Sequence, residues 1–281
     1  MPKDWIRIRR ARADITDYLI HWTHGRASEG QVKQPLDVLK EILGCGYLQA
    51  SFAIKGSITG GSRNATIKGD RPAVCFTEQP LDAFLKSCAI LPSRCKPDGL
   101  AVHKWHLYNY GGRPVVYGHE SLLSRLNDAD QYLWVRYSPI PVATFAGYPI
   151  DWTHEREWRS VVHKHDYPEI GKTPIEGIPL LLPPATYPKS DKPVLALPRI
   201  LVATEDERGS LIEWIEGIPS YEGDSGVLSY YFSILSKAMV IPLDRVGERI
   251  ASGDTRYARL ETLPYEELDP SFATPTPEAY L

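Results

Sequence analysis

Several common chemistries lack their signatures in this chain. No G-x-x-x-x-G-K-[ST] loop is present, so the chain lacks the backbone cradle of a P-loop nucleotidase. No G-x-G-x-x-G follows a strand-like run, which argues against a Rossmann dinucleotide site. G-x-S-x-G is absent, and "HEREW" is not the H-E-x-x-H of a zinc peptidase. No upstream aspartate with an acid-x-lysine pair on a strand suggests a restriction-type nuclease. Cysteine is scarce: Cys45, Cys75, Cys88 and Cys95 form no C-x-x-C pair, and a chain of 281 residues needs no disulfide framework. They read as buried or incidental thiols of a cytoplasmic protein. No apolar run approaches the roughly 20 residues that span a bilayer, so no membrane partner is expected. The basic start, "MPKDWIRIRRARADITDYLIHW", lacks the apolar core of a signal peptide. Net charge is −3, so no global positive field advertises nucleic acid, although a local groove can still be basic.

What remains is ordinary globular material, 43% hydrophobic and 24% charged, in which short β-rich runs alternate with a few amphipathic helices. "DYLIHWT" (Asp17 to Thr23) reads as a first strand. "QPLDVLKEILGCGYL" reads as a helix with Leu36, Leu39, Ile42 and Leu43 on one face, closed by Gly44 or Gly46. "SFAIKGSITGGSRNATIKGDRP" reads as a mobile loop, Ser51 to Asp70. "PAVCFTEQPLDAFLKSCAI" predicts a strand over Ala73 to Phe76, a turn at Thr77–Glu78 and a helix from near Pro80. "GLAVHKWHL" and "RPVVYG" predict two strands joined by a tight hairpin turn at "YNYGGR". A short helix is expected at "ESLLSRLND", a strand or continuing helix at "QYLWVRY", strands at "REWRSVV", "RILVAT" and "KAMVIPL", and a helix at "DERGSLIEWIEGI". Prolines crowd the stretch from Pro168 to Pro198, which is expected to be a surface excursion within one domain spanning residues 1–281. The tail after Pro264 is expected to be loosely held. The pattern indicates an α+β fold.

Four of the eight histidines are paired at spacings a metal could use. His103 and His106 are spaced i, i+3, and His163 and His165 i, i+2, yet no carboxylate or thiol completes either pair at a familiar spacing, so no metal is expected.

In "IDWTHEREWRSVVHKH", strand alternation from near Arg156 would put Glu155 and Glu157 on one side, with Arg156 and Trp158 on the other. Either both carboxylates sit in water, or Arg156 or Arg159 pairs with one. The other alternative is chemical. Loss of nicotinamide from NAD passes through an oxocarbenium-like centre, which a fixed carboxylate stabilises while holding the ribose 2′-hydroxyl. A second carboxylate can accept the proton of the incoming nucleophile. His21, Trp22 and Thr23 in "IHWTHG", Phe76 and Thr77 in "CFTE", and Tyr117 in "VVYG" are candidates for holding the ribose and nicotinamide. Arg63, in the glycine-rich loop, is either a phosphate ligand or an exposed loop arginine.

The ordered elements "HWT", "LKEILGCGYL", "VCFTEQPL", "GLAVHKWHLYNYGGRPVVYG" and "WTHEREWR" resemble the AbiGi-type abortive phage infection proteins and the related domain-of-unknown-function family DUF2971, over roughly Tyr18 to Val162. Those families look similar to ADP-ribosyltransferase toxins that modify DNA or RNA. The resemblance implies an ADP-ribosyltransferase-like core of mixed, mainly antiparallel sheets with peripheral helices. It implies NAD as substrate, a nucleic acid or protein acceptor and a neutralising antitoxin. By position, His21 and Thr23 would hold NAD, Phe76 and Thr77 would line the nicotinamide pocket, and Glu157 would be catalytic with Glu155 beside it; Tyr117 and Arg159 would sit nearby. No Ser-Thr-Ser element and no first-strand arginine are present, which favours nucleic acid over an arginine acceptor. An NAD glycohydrolase of the same site, or a non-enzymatic phage-sensing module, would share these residues.

Overall fold

The computed structural model describes residues 11–12, 14–24, 26–28, 31–51, 54–55, 64–90, 97–139, 150–161, 177–180, 199–218, 231 and 235–268. Seven strands form its main sheet: β1 (Tyr18–Trp22), β2 (Ala73–Thr77), β3 (Gly99–His103), β4 (Arg113–Pro114), β5 (Glu157–Val161), β6 (Arg199–Val202) and β7 (Val240–Pro242). Their order is β7-β6-β3-β1-β2-β5-β4, antiparallel except for the β6/β7 pair. The architecture is therefore mixed, with a mainly antiparallel sheet and several helices.

Strand alternation divides the core between the two faces of this sheet. One face carries Leu19, Val74, Phe76, Leu100, Val102, Trp158, Ile200 and Val202. It is covered by helix α1 (Pro35–Cys45) through Val38, Leu39, Ile42 and Leu43. The opposite face carries Ile20, Ala101, Leu201 and Ile241, and helix α2 (Leu81–Ile90) reaches it through Leu81. A third helix, α3 (Lys104–Asn109), follows β3 directly and buries Leu107 on the first face. Helix α4 (Glu205–Glu216) adds Leu211 and Ile215 to the first face. Helices α5 (Leu243–Ala251) and α6 (Tyr265–Leu268) close the second.

Local chemistry explains why these elements start and stop. Pro35 opens α1, where its missing N–H costs nothing, and the Asp37 carboxylate accepts the Gln34 amide at 3.1 Å. Gly46 ends it at φ 76°, its N–H returning to the Ile42 carbonyl at 2.9 Å, a left-handed cap that suits glycine. Thr204 caps α4 by accepting the Glu207 amide at 3.2 Å.

Several expectations need correction. "GLAVHKWHL" is a strand for only its first five residues and then helix α3. "RPVVYG" divides, with Arg113–Pro114 pairing with β5 and Val116–Gly118 pairing in parallel with Trp134–Arg136. The expected hairpin between them does not form, because β3 pairs with β1 and β6 instead. Within the expected Ser51 to Asp70 loop, 54–55 pairs with 64–65 and Ile67 is buried against Ala73, Tyr132 and Val161; residues 56–63 lie outside the described residues. In the proline-rich stretch, Gly177–Pro179 pairs with Tyr47–Gln49, and both Ile178 and Leu180 are buried in the core. The tail is docked at least to Leu268, where Tyr265 and Leu268 are buried. Helix α5 was not anticipated.

Gly99 is the tightest backbone approach in the central sheet. A Cβ there would lie 2.5 Å from the His21 carbonyl and 2.9 Å from the Trp22 ring. Gly209, exposed inside α4, has nothing within 4 Å. Gly99→Ala is expected to lower stability by about 1–3 kcal/mol. Gly209→Ala should raise it by up to about 1 kcal/mol. Urea unfolding midpoints of the two variants check the opposite signs.

Candidate active site

The seam between β1 and β2 sets the site's geometry. β1 shares five residue pairs with β3 but only one, Ile20 with Thr77, with β2. Past that pair Ser51 takes over the edge, exchanging both backbone hydrogen bonds with Ala73 at 3.1 Å. Since Ala73 turns its N–H and C=O toward that edge, alternation turns those of Cys75 and Thr77 the same way. The Cys75 carbonyl meets the His21 ring, with Nδ1 2.8 Å away. An imidazole thus stands where a fully zipped ladder would place a backbone amide.

Across β2, Glu157 stands opposite Thr77, Trp158 opposite Phe76 and Arg159 opposite Cys75. Ile20, Thr77 and Glu157 therefore form a row on one face. The chain enters β5 through the short turn Thr153–Glu155 and then Arg156, whose φ of 46° lies in the left-handed region. This kink overturns the expected alternation: Glu155 lies in the turn rather than on the strand, so it shares no strand face with Glu157. The turn is pinned to β2, because the Thr77 hydroxyl donates to the Glu155 carbonyl and the Glu78 amide donates to the Arg156 carbonyl at 3.1 Å.

Glu157 is held at four points. Its amide donates to the Tyr117 hydroxyl at 2.8 Å, and its carbonyl accepts the Val115 amide at 3.0 Å. Its carboxylate receives Arg159 Nε on Oε1 at 2.7 Å and Nη2 on Oε2 at 3.3 Å, a two-pronged, charge-assisted contact. Arg159 is itself 3% exposed, and its Nη1 donates to the carbonyls of Tyr132 at 2.6 Å and Trp134 at 3.2 Å. Burial pushes the Cys75 thiol up to about 12; the neighbouring Glu157 carboxylate adds to this and Arg159 opposes it. Burial likewise pushes the Tyr117 phenol up to about 12.

The remaining expected site residues are placed elsewhere. His21 and Phe76 share the opposite face, with ring centroids 5.8 Å apart. Thr23 is buried, its hydroxyl shared between the carbonyls of Pro35 at 3.1 Å and Asp98 at 3.0 Å. It lies three residues beyond Ile20, roughly 10 Å along the strand from the row that ends in Glu157. Arg63 lies outside the described residues. So Glu157, Thr77, Tyr117 and the Glu155 backbone come together, His21 and Phe76 face away, and Thr23 ties β1 to the start of α1.

One constellation was missed. Glu78, next after Thr77, takes Lys104 Nζ on Oε1 at 2.6 Å and Trp158 Nε1 on Oε2 at 2.8 Å. The available signal was an acid directly at a strand end beside an indole-bearing strand. The rings of His103 and His106 lie 5.8 Å apart, and among the described residues no three metal-ligating side chains converge. His163 and His165 fall outside the described residues. No helix among the described residues is long and apolar enough to cross a membrane. In comparisons with known proteins the chain matches no family model, no curated protein and no solved structure.

Both raised groups stay protonated in the folded chain at pH values where the unfolded chain ionises them, from about 9 for the thiol and 10 for the phenol. Their contribution to stability is complete below about pH 9 and is lost as pH rises toward 12. The urea midpoint should hold steady to about pH 9 and fall by about pH 11, and Cys75→Ala should flatten that fall. Thr23→Val removes the hydroxyl that ties the Pro35 and Asp98 carbonyls together, the latter keeping the Thr23 amide at 2.8 Å, and should cost about 1 kcal/mol. The same urea titration measures it.

Proposed function

We propose that the protein is an NAD-dependent ADP-ribosyltransferase, a toxin of anti-phage abortive infection, with nucleic acid as the preferred acceptor. The observation that carries the reading is a carboxylate, Glu157, locked by a buried arginine at the head of a strand, one strand from the seam where β1 and β2 share a single residue pair. A catalytic carboxylate facing a developing cation must keep its place while charge builds, and a pre-set contact costs no reorganisation at that moment. The Arg159 fork occupies one lone pair on each Glu157 oxygen and leaves others for a ribose hydroxyl and the oxocarbenium-like centre.

In this reading NAD enters at the seam where β1 leaves β2. Glu157 stabilises the ribosyl cation as the bond to nicotinamide breaks, and the electron pair leaves with the nicotinamide nitrogen. The acceptor's nucleophile then attacks the same carbon, giving up its proton to Glu155 or to the acceptor's own neighbouring groups. Thr77 and Tyr117 act on the backbone of the catalytic turn, one holding the Glu155 carbonyl and the other the Glu157 amide. Roles for His21 and Phe76 require the dinucleotide to cross the seam to the other face.

Glu157→Gln keeps the shape and removes the charge. Nicotinamide release from NAD is expected to fall by about 100-fold or more. Because the buried Arg159 loses its carboxylate, the urea midpoint is expected to drop as well, and a native-like circular dichroism spectrum without denaturant is the control for folding. Turnover at the native rate would overturn the assignment. His21→Ala should weaken NAD binding in calorimetry. Biotinylated NAD in cell lysate separates the outcomes: label removed by nuclease supports transfer to nucleic acid, label removed by protease transfer to protein, and free nicotinamide without label hydrolysis.

A further inference from the structure

Of the six large apolar side chains exposed among the described residues, Trp105, Tyr108, Val116 and Trp152 all belong to segments tied to the Glu157 end of the sheet. Lys104, which opens α3, is bonded to Glu78; Val115, just before Val116, donates to Glu157; the Trp152 carbonyl accepts the Glu155 amide. Trp105 and Tyr108 are 62% and 45% exposed and stand three residues apart, hence on one side of α3. The Arg113 guanidinium lies 4.0 Å from the Tyr108 ring centroid. Its hydrogen bonds both run from Nη1, to the carbonyls of Tyr108 and Gly112 at 2.7 Å, so no carboxylate among the described residues neutralises it. Arg113 in turn stands in register with Arg159, the partner of Glu157.

We infer that Trp105, Tyr108 and Arg113 form a docking surface for single-stranded nucleic acid at the Glu157 end of the sheet. From there a strand would pass the β4 edge, where Arg113 stands in register with Arg159, to bring an acceptor to Glu157 on the face opposite α3. The surface rests on the reading of the acceptor given above. Its chemistry is what an unpaired strand needs. The indole and the open side of the phenol ring offer stacking platforms for successive bases, and the uncompensated guanidinium meets the phosphate between them. A duplex keeps its base faces stacked away and cannot use such rings. With net charge −3 the chain supplies no long-range pull, so affinity depends on these local contacts.

The test uses the full chain without NAD and a fluorescently labelled single strand of about 12 nucleotides, RNA and DNA in parallel, read by anisotropy. Trp105→Ala and Tyr108→Ala should each weaken binding about tenfold, Trp105→Phe should largely retain it, and Arg113→Gln should lower the salt-dependence slope by about one. Native-like binding by both alanine variants would overturn the surface, as would a duplex competing as well as the single strand. So would a self-association that Trp105→Ala abolishes, which would assign the patch to a second copy. Nicotinamide release, measured separately, keeps the two ideas apart. Release without strand binding overturns this surface alone, and ring-dependent strand binding without release overturns the enzymatic reading alone.

Discussion

Everything at the proposed catalytic end turns on the ion pair between Glu157 and Arg159. Taking both charges out of water is expensive, and mutual attraction offsets that cost only with close geometry and further hydrogen bonds. Here both conditions hold: the fork is two-pronged, and the remaining guanidinium edge is spent on the Tyr132 and Trp134 carbonyls. The pair also acts on its surroundings. Arg159 stands opposite Cys75, whose thiol Glu157 raises and Arg159 lowers, and its guanidinium binds the segment 132–134 to the strand that carries the glutamate. A buried ion pair is weak support for stability as such. Its use here is to fix the direction of one carboxylate.

The seam is the second constraint, and it follows from the first part of the chain. β1 pairs with β3 along its whole length but with β2 at one position, and farther along β2 it is Ser51 that pairs with Ala73. Gly99 lets β3 come close enough to keep β1 on that side, since any Cβ there would strike the His21 carbonyl. His21 then reaches across to Cys75. The first-strand histidine is thus explained by sheet geometry alone, whatever it also does for a ligand.

Much of this was legible in the residues. The helix over Pro35–Cys45 follows from its proline, its apolar spacing and its closing glycine, and the strands Ala73–Thr77 and Glu157–Val161 follow from their apolar runs, except that Thr77, read as a turn, is strand and Arg156, read as strand, is not. What was not legible is long-range. "RPVVYG" is apolar enough for one strand, and only the competition between β5 and the Trp134–Arg136 segment divides it. The proline-rich stretch reads as surface because prolines break regular pairing, yet its Gly177–Pro179 segment finds an edge at Tyr47–Gln49, where a short pairing suffices. The alternation that would align Glu155 with Glu157 fails at Arg156, a non-glycine residue at φ 46°. No propensity scale anticipates a left-handed arginine.

That arginine also shows how the site holds together. A non-glycine residue in the left-handed region costs of order 1 kcal/mol and persists where its surroundings over-determine it. The surroundings do so from three sides. The Arg156 carbonyl accepts the Glu78 amide, its side chain reaches Asp14, and the preceding Glu155 carbonyl accepts Thr77. Glu78 is in turn anchored by Lys104 and Trp158, one from the strand end that leads into α3 and one from β5 itself. The kink that presents Glu157 is therefore clamped by residues of β2, β5 and α3 together. A change at Lys104 would reach the turn before Glu157 through Glu78 without touching Glu157 or Arg159.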